Sequence, residues 1–129
     1  YMEWANRETF LMVQIEDKEA LDEIDEIAKL DAIDILFVGP GDLSQSLGVP
    51  LSSNHGLMKD AFASVAEAAK KHGKWWGAPG GSLERAQELV DMGARFINCG
   101  SALGFMRKGF VESFETFSQL QIPQTKSSY

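Results

Sequence analysis

The sequence predicts an α/β protein on a parallel sheet, and three observations carry that expectation. Four short apolar runs, Phe10–Ile15, Ile33–Val38, Lys74–Ala78 and Arg95–Cys99, have the length and side-chain character of buried strands. Segments of helical period stand between and after them. Glycine, proline or a carboxylate punctuates the end of each run, so strand and helix alternate along the whole chain.

Residues 1–9 read as the end of a helix and the approach to the first strand. Phe10–Ile15 ends on an acid, Glu16, and Asp17 is placed to cap a helix over Asp17–Leu30. Ala20, Ile24, Ile27 and Ala28 give that helix its apolar stripe, while Asp22, Glu23, Asp25 and Glu26 form a solvated face. The strand Asp34–Val38 is stopped by Gly39-Pro40-Gly41, with Asp42 presented just beyond its end. Val49–Gly56 is a polar loop. Leu57–His72 is a helix with Met58, Ala61, Phe62, Val65 and Ala69 inward, Gly73 ends it, and His72 suits the negative end of its dipole.

Trp75 and Trp76 in the third strand point to opposite faces, one into the core and one under a helix. Pro79-Gly80-Gly81 is a loop, Ser82 caps the helix Leu83–Met92, and Gly93 closes it. Cys99 in the fourth strand reads as a small buried hydrophobe. Beyond Gly100, Met106, Phe110, Phe114 and Phe117 recur at helical spacing, with breaks expected near Gly104 and Gly109. Residues 1–120 make one domain of four βα units, and 121–129 a polar tail.

Composition narrows the function. The chain has 129 residues, 44% hydrophobic and 24% charged, which suits one globular domain with a modest core. A net charge of -7 argues against a nucleic-acid groove, which needs a basic patch. No apolar run is long enough to span a membrane. The single cysteine forms no internal disulfide, and a cytoplasmic location is expected.

Glu16 and Asp42 hold the chemical interest. Consecutive parallel strands joined by a helix have adjacent C-terminal ends, so both carboxylates are expected in one crevice. Two such groups repel unless a cation or a shared proton lies between them, and a hard divalent ion answers that need. Gln14 is placed to orient Glu16, Gly41 leaves room for a ligand near the backbone, Pro40 stiffens the turn, and Ser44 reads as the cap of a following short helix. His55 lies in the loop on the same side.

The run Val13-Gln14-Ile15-Glu16, the helix after it, and Leu36-Phe37-Val38-Gly39-Pro40-Gly41-Asp42-Leu43-Ser44 with Ser46-Leu47-Gly48 resemble the HpcH/HpaI aldolase family. These are metal-dependent pyruvate aldolases on a (β/α)8, or TIM-type, barrel, related to the citrate lyase β-subunit group. The resemblance extends to about Leu120. It implies that the four units are strands five to eight of such a barrel, the C-terminal half only.

It further implies that Glu16 and Asp42 hold Mg²⁺ or Mn²⁺, with Co²⁺ a further candidate, and that Gly39, Pro40, Gly41 and Asp42 contact substrate. The implied reaction is cleavage of a 4-hydroxy-2-oxo acid to pyruvate and an aldehyde through a metal-stabilised enolate. Pyruvate, oxaloacetate and 4-hydroxy-2-oxo acids are the expected small-molecule partners. The family's catalytic His and substrate-binding Arg come from earlier strands that nothing here matches, so no catalytic residue is assigned. Where relatives often carry Gly-Val-Asp, this chain reads Gly100-Ser101-Ala102.

Two other readings stand beside this one. A half-barrel leaves two sheet edges and an apolar face open, which predicts a homo-oligomer and allows a non-catalytic, self-associating module. The glycine-rich loops Gly77–Ser82 and Cys99–Ala102 suggest instead a phosphate-binding barrel of the sugar-phosphate isomerase or epimerase type.

Overall fold

Strands β1 (Met12–Ile15), β2 (Ile35–Val38), β3 (Trp75–Pro79) and β4 (Phe96–Asn98) pair in sequence order, every neighbouring pair parallel. This is the arrangement in the computed structural model of the chain, which describes residues 1–51 and 55–121. Helix α1 (Met2–Glu8) precedes the sheet. The crossovers carry α2 (Lys18–Asp22) and α3 (Ile24–Ala28), then α4 (Pro40–Ser46) and α5 (Gly56–Lys71), then α6 (Leu83–Asp91). Helix α7 (Ala102–Phe117) follows. The chain divides into two compact units, Tyr1–Cys99 and Gly100–Tyr129.

One face of the sheet builds the core. Alternate residues Ile15, Leu36, Val38, Trp76 and Ala78 pack with Ile24 and Ala28 of α3, Met58, Phe62 and Val65 of α5, and Leu89 of α6. Leu36, Val38, Val65 and Leu89 are fully buried, and such a side chain contributes about 1.5–3 kcal/mol relative to exposure. Trp76 lies under α5, its ring edge to face with Phe62 at 6.5 Å.

The opposite face carries Met12, Ile35, Phe37, Trp75 and Phe96, with Phe10 at its margin. On a flat sheet β1 and β4 would stand about 14 Å apart, three strand spacings. Yet the Phe10 and Phe96 ring centroids are 6.5 Å apart, and Phe37 meets Phe96 edge to face at 5.9 Å. The sheet therefore curls toward this face, where Ile35 and Phe37 are buried. Gly77 permits it, since a Cβ there would lie 1.8 Å from the Phe96 carbonyl oxygen.

Several expectations are corrected. The segment Asp17–Leu30 is not one helix: Glu23, at φ -102° and ψ 15°, leaves helical geometry and separates α2 from α3. The Asp17 cap is present, accepting the Ala20 amide at 2.6 Å. β1 starts at Met12 rather than Phe10. Cys99 is exposed, because β4 ends one residue earlier at Asn98. Trp75 is 59% exposed rather than core, on the sheet face opposite α5.

His72 caps the C-terminus of α5 as expected, and it also has a partner on α3: its Nε2 lies 2.8 Å from Asp25 Oδ1. Hydrogen bonding to Lys71, and next to His72, holds the Asp25 carboxyl well below the usual carboxylate range. The second unit's α7 runs unbroken through Gly104 and Gly109, capped by the Ser101 hydroxyl accepting the Gly104 amide. Phe105, Phe110, Phe114 and Phe117 are all exposed. Residues 52–54 of the expected loop and 122–129 of the expected tail lie outside the described residues. No helix among the described residues is long and apolar enough to cross a membrane.

The curl makes Gly77 the least replaceable glycine of the sheet. Gly77→Ala should cost about 3 kcal/mol or more, as overpacking against fixed backbone does, while Gly41→Ala, whose added methyl meets nothing within 4 Å, should be near neutral. Urea melts of the two variants check this, and equal midpoints would refute the curl.

Candidate functional site

The site begins with the pairing of β1 and β2. Ile15 lies opposite Val38, and the Gly39 amide donates to the Ile15 carbonyl at 3.0 Å, so Glu16 stands beside Gly39 at the strand ends. Glu16 is half-buried and its Oε2 accepts from the Gln14 side-chain amide at 2.5 Å. The orienting role read for Gln14 thus has its contact. That pair lies across Gly39: a Cβ on Gly39 would sit 2.5 Å from Gln14 Nε2 and 3.0 Å from Glu16 Oε2. Glycine at position 39 keeps the space the carboxylate occupies.

Beyond Gly39 the chain turns directly into α4, with Pro40 at its first position where a missing N–H is harmless. Gly41 and Asp42 complete the first turn, and Leu43 is the first residue to bond back, its amide donating to the Gly39 carbonyl at 3.0 Å. Asp42 is exposed in this turn. Ser44 is not a cap. It is buried inside α4, where its hydroxyl donates to the Gly41 carbonyl at 2.8 Å and braces the turn from within. The neighbouring serine was missed in the sequence: Ser46 Oγ accepts the Lys18 amide at 2.9 Å, tying α4 to the start of α2.

Glu16 and Asp42 therefore lie at the ends of adjacent strands, on one rim, and neither enters an ion pair among the described residues. No group of three or more His, Cys, Asp or Glu gathers among those residues. Two hard oxygen donors, one oriented by an amide and neither neutralised by a cation, fit a divalent ion that draws the rest of its shell from water and ligand.

The other candidates stand apart from this pair. His55 is the N-cap residue of α5, with Nδ1 buried and without a hydrogen-bond partner. Cys99 Sγ lies 3.7 Å from the Ile97 carbonyl. In the loop after β3, Gly81 takes φ +69°, Gly80 donates to the Asn98 carbonyl at 2.9 Å, and Ser82 caps α6 by accepting the Arg85 amide. These glycines make a tight turn.

Comparison with known proteins adds what geometry alone does not. Residues 2–108 match the family described as HpcH/HpaI aldolase/citrate lyase. The chain is 33% identical over 119 residues to a 5-keto-4-deoxy-D-glucarate aldolase of Enterobacter sp. (strain 638), a match covering 92% of this chain and 46% of that protein. It is 41% identical over 101 residues to a hydroxypyruvate/pyruvate aldolase of Sagittula stellata (strain ATCC 700073 / DSM 11524 / E-37), covering 75% of this chain and 38% of the other. Among solved structures, the citrate synthase SbnG superposes with a TM-score of 0.81 at 29% identity, over 92% of this chain and 48% of that one. The chain spans about half the length of the curated relatives it matches.

Gly39→Ala tests the arrangement of the rim. Its methyl should push Gln14 from Glu16, move the Gln14 side-chain NH₂ resonance, and cost about 1–3 kcal/mol. A Gln14 resonance unmoved in this variant would mean that the two side chains do not lie across the glycine.

Proposed function

The chain belongs to the HpcH/HpaI aldolase/citrate lyase family, its parallel four-strand sheet matching about half of (β/α)8-barrel relatives, and on that premise we propose a function. It carries the metal-holding half of a carbon–carbon lyase that cleaves a 4-hydroxy-2-oxo acid to pyruvate and an aldehyde. The observation that supports this most directly is the β1–β2 register, which sets Glu16 beside Gly39 and Asp42 one turn further on.

In this reading Glu16 and Asp42 hold Mg²⁺ or Mn²⁺, with Co²⁺ also accepted. Bound there, a divalent cation supplies Lewis acidity for the negative charge that develops on a 2-oxo acid as its carbon–carbon bond breaks. Gln14 fixes the Glu16 carboxylate by hydrogen bonding, which holds it in a ligating orientation. Gly39, Pro40 and Gly41 form the substrate-facing turn: Gly39 leaves space, Pro40 holds the backbone, and the Gly41 and Asp42 amides donate to the substrate carboxylate. Ser44 supports that turn through the Gly41 carbonyl.

The names of the relatives, which include 5-keto-4-deoxy-D-glucarate and hydroxypyruvate/pyruvate aldolases, support a small 2-oxo acid as substrate class. No general acid or base is assigned to this chain, so turnover requires a complementary half. The metal assignment is checked by titrating Mn²⁺ into wild type, Glu16→Gln and Asp42→Asn. Each substitution should weaken binding at least tenfold, the loss expected for a ligand set this small. Equal affinity in all three proteins sinks the assignment.

A second reading concerns assembly and is favoured by the uncovered sheet face. Phe10 is 60% and Trp75 59% exposed on the side toward which the sheet curls, and β1 and β4 are its two edges among the described residues. Each large apolar side chain left in water forfeits about 1.5–3 kcal/mol of burial, against a typical domain stability of about 5–15 kcal/mol. Two copies meeting edge to edge would cover both faces and bring two Glu16/Asp42 pairs to one rim. Light scattering on dilute protein should then give a multiple of 14.2 kDa. A cooperatively melting monomer overturns this reading.

A further inference from the structure

A cavity of about 200 Å³ lies between the loop after β3 and helix α5, beside the turn that bears Asp42. Leu51, Met58 and Phe62 form its apolar wall, Pro40 and Pro79 close it at the strand ends, and Gly80-Gly81 bound it on the loop side. Among the described residues Arg85 is the one charged side chain lining it, and no carboxylate does. The volume equals that of about six or seven waters in the liquid, which admits a short organic acid.

Arg85 is held rather than free to wander. Its guanidinium carbon sits 4.6 Å from the centroid of the Phe62 ring, and the side chain is 21% exposed. Nη1 donates to Glu88 Oε2 at 2.8 Å, a contact with a carboxylate that is itself 62% exposed and therefore bound only weakly. A guanidinium has five N–H donors in a fixed fork, and stacking on an aromatic face leaves its edge available to a carboxylate. An apolar wall strengthens such a pair by excluding water.

We propose that this cavity binds the carboxylate end of a short, otherwise apolar acid, with Arg85 pairing the carboxylate and Leu51, Met58 and Phe62 holding the carbon chain. Its role in turnover rests on the aldolase reading: it seats the end of the substrate remote from the carbons that react. The binding itself does not depend on that reading, since every wall residue lies in this chain and none is a proposed metal ligand. Pro40 belongs both to the cavity and to the Asp42 turn, so the two sites adjoin.

The test is a ¹H–¹⁵N NMR titration of the full chain with butyrate, with butyramide as its uncharged counterpart and inorganic phosphate as a compact anion. Butyrate should shift the Gly80, Gly81 and Arg85 signals saturably, and butyramide should leave them in place. Arg85→Met should weaken butyrate binding about tenfold or more, the loss of a charge-assisted pair. Glu88→Gln, an exposed change that spares the fold, should tighten it about two- to threefold by removing the competing carboxylate charge beside Nη1.

Equal shifts from butyramide, phosphate binding as tight as butyrate, unchanged affinity in Arg85→Met, or no gain in Glu88→Gln would each overturn the proposal. Separate Mn²⁺ titrations distinguish the two failures. Butyrate binding without Mn²⁺ binding removes the metal assignment and leaves this site standing; Mn²⁺ binding without butyrate binding does the reverse.

Discussion

The hydrogen bond from the Gly39 amide to the Ile15 carbonyl, at 3.0 Å, is the last of the β1–β2 ladder, and the chemistry of the rim hangs on it. It fixes which residue follows each strand at the same height. A slip of β1 by one residue would turn Glu16 toward the helices and send Ile15 out of the core, so burial and site geometry are set by one register. Glycine at 39 serves both demands. It donates to the ladder, and its missing side chain is filled by Gln14 and Glu16.

The same economy appears at Gly77, where the absence of a side chain lets the Phe96 backbone come close and the sheet curl. Curling is what separates a barrel wall from an open twisted sheet. On the face it draws together, Ile35 and Phe37 are buried, while Phe10 and Trp75 stay in water. The helix-facing side is a finished core, whereas the opposite side is finished only in its middle. Relatives about twice as long supply a second half, and an apolar face of this kind has the composition to receive one.

Much of this was legible in the sequence because the signals were local. Apolar runs marked the strands, Asp17 and Ser82 behaved as caps, and the motif around Gly39-Pro40-Gly41-Asp42 pointed to the end of β2. What was hidden depended on partners far along the chain. Asp25 read as one acid of a solvated face, yet it pairs with Lys71 and His72 from the end of α5. Ser44 and Ser46 looked interchangeable, and only the entry of Pro40 straight into α4 decides that Ser44 braces the turn while Ser46 reaches Lys18. Arg85 carried no motif at all. Its stacking on Phe62 joins two helices, which no spacing rule predicts.

The distribution of roles along the chain bears on how such a site works. Two carboxylates at neighbouring strand ends can bind and polarise, but breaking a carbon–carbon bond also moves a proton, and that needs a group of matched acidity within reach. The residues resembling the family's metal ligands are Glu16 and Asp42, and no residue of this chain is assigned to the proton. A cation held by Glu16 and Asp42 alone would therefore sit on a rim open to water, where bulk dielectric weakens its pull on a substrate oxygen. On the proposed reading, covering the open face would do two things at once: it would bring a proton-handling group into range, and it would remove the water that screens the cation. On the proposed reading the rim would be a binding device whose reactivity depends on what covers the sheet's open face, and the curl that Gly77 allows shapes that face to be covered.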